Sequence, residues 1–335
     1  MNKLSKLGVS ALCGSLAAIS SAHAGDLSAT GSAQVTWMSK EDAVTGNPIG
    51  MNSGFGLNGS GELDNGWSVA FTVAHTDAGA YSNANITLGI PGLGDVRLDQ
   101  GTTGTGLQRM DDLTPSAWEE ADGAGQSIGK TGISGITGGA NIQIDNFEMQ
   151  PDGLAIVVAF TKDSDSATNI GEKNSGGVSG VEGAGYDISF TATDGLHGMA
   201  GLTVYGGLSQ VDQYQNGNTV NGDKEETVLG VKYAAGGFTV GYQQNEQDTG
   251  LTAATSYDTT MYSVVFAVND DLSVSYGHVE SDKQGDSDIA EAQSFQAAYT
   301  MGGATFAIAE VQADNIAYDS TDNKDTTILS LSLAF

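Results

Sequence analysis

The chain has 335 residues, with 41 acidic against 12 basic side chains, a net charge of −29, 48 glycines, 4 prolines and a single cysteine. So acidic a protein repels phosphate backbones, which excludes nucleic acid as a partner, and no apolar stretch is long enough to read as a transmembrane helix. Two classes remain: a secreted soluble β protein, or a membrane barrel whose strands are apolar only at alternate positions.

At the start of the chain, Lys3 and Lys6 precede an apolar, small-residue run from Leu7 to Ile19 and then Ala22-His23-Ala24. This is the pattern of a secretory signal peptide cut after Ala24, so residues 1–24 are expected to be removed. Leu12 stands where lipoprotein processing would want a small residue before Cys13. Removal takes Lys3, Lys6 and Cys13 with it, leaving a charge of −29 − 2 = −31 and no thiol or disulfide. Residues 25–335 show no linker or shift of composition and read as one domain.

Period two begins at once: Leu27, Ala29, Gly31, Ala33, Val35 and Trp37 fall on one face, and Ser28, Thr30, Ser32, Gln34 and Thr36 on the other. It returns in Trp67, Val69, Phe71 and Val73, in Leu229, Val231 and Tyr233, in Phe238, Val240 and Tyr242, and in Tyr262, Val264, Phe266 and Val268. Turn chemistry punctuates these runs at Asp64-Asn65-Gly66, Pro91-Gly92-Leu93-Gly94, Pro151-Asp152-Gly153, Asp194-Gly195, Ala235-Gly236-Gly237, Asn269-Asp270-Asp271 and Met301-Gly302-Gly303. Between them lie longer acidic connections, among them 163–182, 211–226, 244–257, 279–290 and 312–325. Seven short turns alternating with eight long connections require sixteen strands, with both chain ends on the short-turn side. An even strand count with short turns at one rim and long loops at the other predicts an all-β fold, a 16-stranded antiparallel transmembrane β-barrel. Trp67, Tyr233, Phe238, Tyr299 and Phe335 fall near the short turns and Trp37, Phe160, Tyr242 and Tyr276 towards the long loops, which predicts two interfacial girdles.

The last strand carries Thr327, Leu329, Leu331, Leu333 and Phe335 on one face with Ser330 and Ser332 opposite, and it ends on the aromatic residue. With the signal peptide, and with Gly94-Asp95-Val96-Arg97-Leu98 leading into a long third loop, the sequence resembles the bacterial porin family along all of residues 25–335. That resemblance implies a water-filled, usually trimeric pore in the Gram-negative outer membrane, a third loop folded into the lumen, and a terminal Phe read by the barrel-assembly machinery. Its expected partners are therefore a second and third copy of itself, outer-membrane lipid, and small hydrophilic solutes and ions.

Residues 101–139 form much the longest connection, and a segment of that length without structure of its own is usually functional. It holds Arg109, Asp111, Asp112, Glu119, Glu120 and Asp122, and Thr114-Pro115 predicts the cap and first position of a short helix through Ala121, closed by Gly123. Carboxylates at a narrow point concentrate cations and repel anions, so the expected constriction comprises Arg97, Asp99, Arg109, Asp111, Asp112, Glu119, Glu120 and Lys232. Lys232 is placed inward by alternation with Leu229, Val231 and Tyr233, and Glu62, Asp99 and Asp187 are placed inward likewise. The porin resemblance would also imply a facing cluster of basic residues, yet only Arg97 and Arg109 supply arginine after residue 24. The departure speaks against anion or phosphate selectivity.

Glu280, Asp282, Asp286 and Asp288, and Asp314, Asp319, Asp322 and Asp325, read as acidic loop clusters able to take calcium, without the spacing of a defined calcium loop. No other cofactor is expected. Gly125-Gln126-Ser127-Ile128-Gly129 matches the nucleophile-elbow spacing but lacks the strand before and the helix after it. The overlapping run to Lys130-Thr131 has one residue too few for a phosphate-binding loop. His75, His197 and His278 show no paired metal spacing. The sequence therefore predicts a non-enzymatic diffusion channel. Two alternatives are a substrate-selective channel using Trp118 or loop residues, and a secreted acidic structural β protein, which would carry fixed-period repeats that are not found.

Overall fold

A computed structural model describes residues 25–40, 47–76, 80–100, 104–164, 182–213, 222–252 and 256–335. The first eight strands are β1 (Leu27–Lys40), β2 (Ile49–Glu62), β3 (Ser68–Thr76), β4 (Ala80–Ile90), β5 (Gly94–Asp99), β6 (Asn141–Asp145), β7 (Leu154–Thr161) and β8 (Glu182–Ala192). The second eight are β9 (Leu202–Gln213), β10 (Lys224–Ala235), β11 (Phe238–Asp248), β12 (Tyr257–Ala267), β13 (Leu272–Lys283), β14 (Ala290–Met301), β15 (Ala304–Asp314) and β16 (Lys324–Ala334). Each pairs antiparallel with its sequence neighbour, and β1 pairs with β16 to close the barrel. Closure leaves no strand edge, which is what lets a sheet lie in hydrocarbon with every backbone group paired. At the seam Val35 faces Leu331 and Trp37 faces Leu329, and Gly31 and Phe335 exchange two backbone hydrogen bonds of 3.1 and 2.9 Å.

Alternation decides which side chains point in. On β10, Lys224, Glu226, Val228 and Gly230 are buried while Glu225, Thr227 and Leu229 are exposed. The exposed members are apolar along the membrane-facing part of the strands: Leu229 is 61% exposed, Phe238 53% and Phe295 59%. Paired across the sheet, Leu229, Tyr233, Phe238, Val240, Tyr242 and Tyr262 form an apolar outer surface far larger than a soluble monomer shows, with aromatic side chains towards both ends. Buried apolar clusters lie elsewhere, between the β5–β6 connection and the buried faces of β7, β9, β10 and β12–β16.

The seven short connections fall where turn chemistry places them, but two are longer than tight turns. Residues 146–153 join β6 to β7, and residues 193–201 join β8 to β9 through one helical turn, Asp194–His197, ended by Gly198 at φ 73°. Several long connections are shorter than expected because the strands run on into them. Glu280 and Asp282 belong to β13, Asp314 to β15 and Asp325 to β16, so these four are strand rather than loop residues. Beyond the apolar band the pattern inverts: the outward positions turn acidic at Glu280, Asp282, Glu291 and Asp314, while Val279, Ala290, Ala292, Val311 and Ala313 are buried on the other face, so the apolar-out alternation breaks off. Residues 1–24, where the signal peptide is expected, most of connection 163–182 and half of connection 211–226 lie outside the described residues.

Candidate functional site

The connection between β5 and β6 is described from Gly104 onward, and its backbone is held by side chains from the buried faces of the strands. Gly106 N–H donates to Gln143 Oε1 at 3.0 Å, and Leu107 and Ile136 N–H donate to Asp187 Oδ2 at 2.6 and 3.3 Å. Gln243 on β11 accepts from Leu113 N–H at 3.0 Å and donates to the carbonyls of Met110 and Asp111 at 2.9 and 2.6 Å. Tyr205 OH donates to the same Gln243 oxygen at 2.7 Å, and Asn245 donates to the Asp111 carbonyl at 2.9 Å. Farther along, Ser275 Oγ accepts from Ala117 N–H at 2.9 Å, and Gln296 Oε1 accepts from Trp118 and Glu119 N–H at 3.2 and 2.9 Å. A short 3-10 helix, Gly106–Met110, opens the segment.

The helix expected from Pro115 to Ala121 is not formed; the segment runs there in bends and turns. The reason is visible in the hydrogen bonds just given. The N–H groups of Ala117, Trp118 and Glu119 find acceptors on Ser275 and Gln296, so no intrahelical ladder is needed to satisfy them. Apolar side chains of the segment supply the rest of the adhesion. Leu107, Met110 and Ile133 pack with Tyr205 and Val228, and Ala121, Ala124 and Ile128 pack with Met261, Val279, Ala292, Ala309, Val311 and Ile328. Small residues on β14 and β15 leave room for this packing.

Around one cavity of about 310 Å³ the segment gathers Asp111, Asp112, Glu120 and Asp122, with Gly123, Gly125, Gln126, Ser127, Thr131, Gly132 and Met261 completing its lining. Among the described residues no lysine or arginine lines it. Partial withdrawal from water raises the Asp111 pKa to about 6, opposed by the Ile133 N–H that donates to its Oδ1 at 2.5 Å and by Lys130. Asp112 is raised to about 7, first by withdrawal from water, then by the charges of Glu120 and Asp111 and a hydrogen bond shared with Glu120. Asp122 is raised to about 6 by burial, against a 3.0 Å hydrogen bond from Thr131 Oγ1. Glu119 is raised in the same direction by withdrawal from water and by Glu120. These carboxylates crowd one another in a low-dielectric setting, so each resists the ionisation of the next.

The other sequence-predicted residues fall elsewhere. Arg97 Nη2 and Asp99 Oδ2 pair at 2.8 Å on β5. Arg109 lies in the last turn of the 3-10 helix, and withdrawal from water lowers its pKa, Asp145 raises it and Arg97 lowers it. Lys232 shares the face of Val228 and Gly230, with Nζ 5.5 Å from the centre of the Tyr205 ring. It is not among the residues lining the acidic cavity. Glu62 is exposed at the end of β2. Asp187 lies on the buried face and is 1% exposed, and backbone N–H groups take up its Oδ2 alone. Sequence reasoning missed Glu226, buried on β10, which accepts from Ser134 N–H at 3.2 Å and Gly135 N–H at 2.5 Å and stands 3.8 Å from Lys224 Nζ. The signal was present: Lys224, Glu226 and Val228 alternate with Glu225, Thr227 and Leu229, which puts a Lys and a Glu on the inner face.

Comparison with known proteins agrees with this architecture. The anion-selective porin from Comamonas acidovorans is 14% identical and superposes with a TM-score of 0.65 over 93% of this chain and 100% of its own. OmpF of Salmonella typhi, solved with daunomycin, gives 12% identity and 0.69 over 93% and 98%. OmpT, an outer membrane protein of Vibrio cholerae, gives 12% and 0.65 over 93% and 98%. No curated protein matches the sequence. At these identities the solved structures share the barrel, and it is the sequence signature of the Gram-negative porins, matched over residues 8–326, that assigns kinship. A closed sixteen-stranded barrel with an apolar outer surface, carrying that signature over most of its length, belongs to the Gram-negative porin family and is an outer-membrane channel protein.

Proposed function

We propose that the protein is a diffusion channel for ions and small hydrophilic solutes that prefers cations, and that segment 104–139 folds into the barrel to form its constriction. The observation that carries this reading is the acidic cavity, where four carboxylates line one space with no basic side chain beside them among the described residues. In a narrow, low-dielectric channel such a cluster focuses the field, raises the local cation concentration and repels anions. The segment's partners lie on the buried faces of strands from β6 round to β16, which supports its placement inside the barrel. The fold is neutral on charge preference, since a neighbour of the same architecture is an anion-selective porin. Preference must therefore come from this chain's own side chains.

The test is the zero-current potential across a planar bilayer under a salt gradient, measured for the wild type and for Asp111→Asn, Asp112→Asn, Glu119→Gln and Glu120→Gln combined. Stepwise conductance with cation preference that weakens in the variant supports the reading. An anion preference in the wild type, or unchanged selectivity in the variant, refutes it. We further propose that residues 1–24 are cleaved on export, that the protein works as a homotrimer like the trimeric form of Vibrio cholerae OmpT, and that it needs no catalytic group or resident cofactor. Trp118, the residue through which a substrate-selective channel would act, packs its side chain against the cluster around Ala121 and Val279, which argues for an anchor rather than a ligand platform.

A further inference from the structure

On the outer face of the barrel, beyond the aromatic side chains of Tyr262, Tyr276 and Phe295 and towards the long-loop rim, stand three ligand-bearing residues that the channel does not use. His278 and Glu280 are two apart on β13 and so point to one side of the sheet. Glu280 lies directly opposite Glu291 on β14, and His278 lies opposite Gln293, diagonal to Glu291. One ligand atom from each of His278, Glu280 and Glu291 can be chosen so that all lie within 4.8 Å of one another. His278 Nε2 is 3.8 Å from Glu291 Oε2, too far for a hydrogen bond, and its Nδ1 is buried without a hydrogen-bond partner. The ring is held edge-on to Tyr262, with centroids 4.7 Å apart. An imidazole that makes no hydrogen bond is thus fixed beside two carboxylates.

The surrounding charge makes the arrangement costly without a cation. Glu291 is flanked by Glu280 on one side and by Asp314 of β15 on the other, and like charges directly opposite destabilise a sheet. The nearest lysines along these hairpins are engaged elsewhere, Lys283 with Asp286 and Lys324 with Asp322.

We propose that His278, Glu280 and Glu291 form a binding site for a divalent transition-metal ion of the zinc class on the outward face of β13 and β14. One imidazole nitrogen and two carboxylate oxygens suit zinc, cobalt or nickel, whereas calcium and magnesium take oxygen alone. Zinc bonds of about 2.0–2.2 Å require ligand atoms roughly 3.4 Å apart in a tetrahedron, so modest side-chain rotations close the triad. The remaining position faces outward and takes water. The ion would neutralise the opposed glutamates and tie β13 to β14 at the rim.

The experiment is a titration of the detergent-solubilised full-length mature protein with Co2+, followed by its visible absorption, with Zn2+ and Ca2+ as competitors. One Co2+ per chain is expected, displaced by equimolar Zn2+ and retained against a hundredfold excess of Ca2+. His278→Gln and Glu291→Gln should each weaken binding at least tenfold while channel conductance stays unchanged. Absence of binding, equal affinity in His278→Gln, or displacement by equimolar Ca2+ overturns the proposal. Should a variant fail to assemble, the wild type decides alone: Zn2+ should slow acylation of His278 by diethylpyrocarbonate at least tenfold while His75 and His197 react as before, and an unaltered rate at His278 refutes the site.

Discussion

Acidification from pH 8 to pH 5 should remove most of the cation preference, in a window where ordinary carboxylates stay charged. Asp111 and Asp122 are held at about 6 and Asp112 at about 7. The sign follows from the direction of these shifts: a carboxyl with a raised pKa loses its charge as pH falls through that raised value. Treated as independent sites, the three carry about −2.9 charges at pH 8 and about −0.2 at pH 5. Unperturbed Asp and Glu side chains, at about 3.9 and 4.3, would remain mostly ionised over the same range. The assay is the reversal potential under a tenfold salt gradient, where a perfect cation filter gives about 59 mV. It should fall by more than half between pH 8 and pH 5, with its midpoint between pH 6 and 7. Low ionic strength is needed, because at about 1 M salt the screening length shrinks to roughly 3 Å and hides the effect. The combined variant Asp111→Asn, Asp112→Asn and Asp122→Asn should be flat across the window. A wild-type titration centred near pH 4 would refute the reasoning, since the selecting carboxylates would then be ordinary solvated ones.

Three further outcomes follow from how the segment is held. Gln243→Leu leaves the Met110 carbonyl and the Leu113 N–H without their partner and the Asp111 carbonyl with Asn245 alone; at about 1–3 kcal/mol for each buried group left unsatisfied, hydrogen exchange within residues 106–113 should accelerate at least tenfold while the barrel strands stay protected. Lys224→Met removes one partner of the buried pair with Glu226, which typically costs about 3–5 kcal/mol, and should raise protease cleavage near Ser134. A Cβ at Gly241 would meet Pro115 Cδ at 2.3 Å, whereas one at Gly277 would meet Ala121 Cβ at 3.4 Å. Gly241→Ala should therefore push the segment off the wall and change single-channel conductance, while Gly277→Ala leaves it within error.

Much of the barrel could be read from sequence because its two signals are local. Alternation such as Leu229, Val231 and Tyr233 needs only a strand with one face in lipid, and turns such as Ala235-Gly236-Gly237 need only a backbone that reverses; Gly236 indeed sits at φ 60°. Strand ends were not legible, because at Glu280, Asp282 and Asp314 the outward face turns acidic and the apolar residues, among them Val279, Val311 and Ala313, move to the buried face. The helix read from Thr114-Pro115 failed for a different reason. Capping chemistry is local, but the acceptors that won, Ser275 and Gln296, are about 160 to 180 residues distant in sequence. His278 with Glu291 is the same kind of case, since strand pairing rather than spacing brings them together.

The acids of the inner face divide into two kinds, and the division bears on selectivity. Asp187 and Glu226 are each about 1% exposed and surrounded by N–H donors: Leu107 and Ile136 for one, Ser134, Gly135 and the Gln247 amide for the other. A buried carboxylate already occupied by backbone N–H groups offers little to a passing ion. Asp111 stands between the kinds, with Oδ1 held by Ile133 and its side chain on the cavity. Asp112 and Glu120 also line the cavity, and they share a hydrogen bond with each other. Neutralising Asp187 should therefore loosen the segment while leaving the reversal potential of intact channels unchanged, and neutralising Asp112 should do the reverse. If Asp187→Asn shifted the reversal potential as far as Asp112→Asn does, without added gating noise, the separation of anchoring from selecting carboxylates would be wrong.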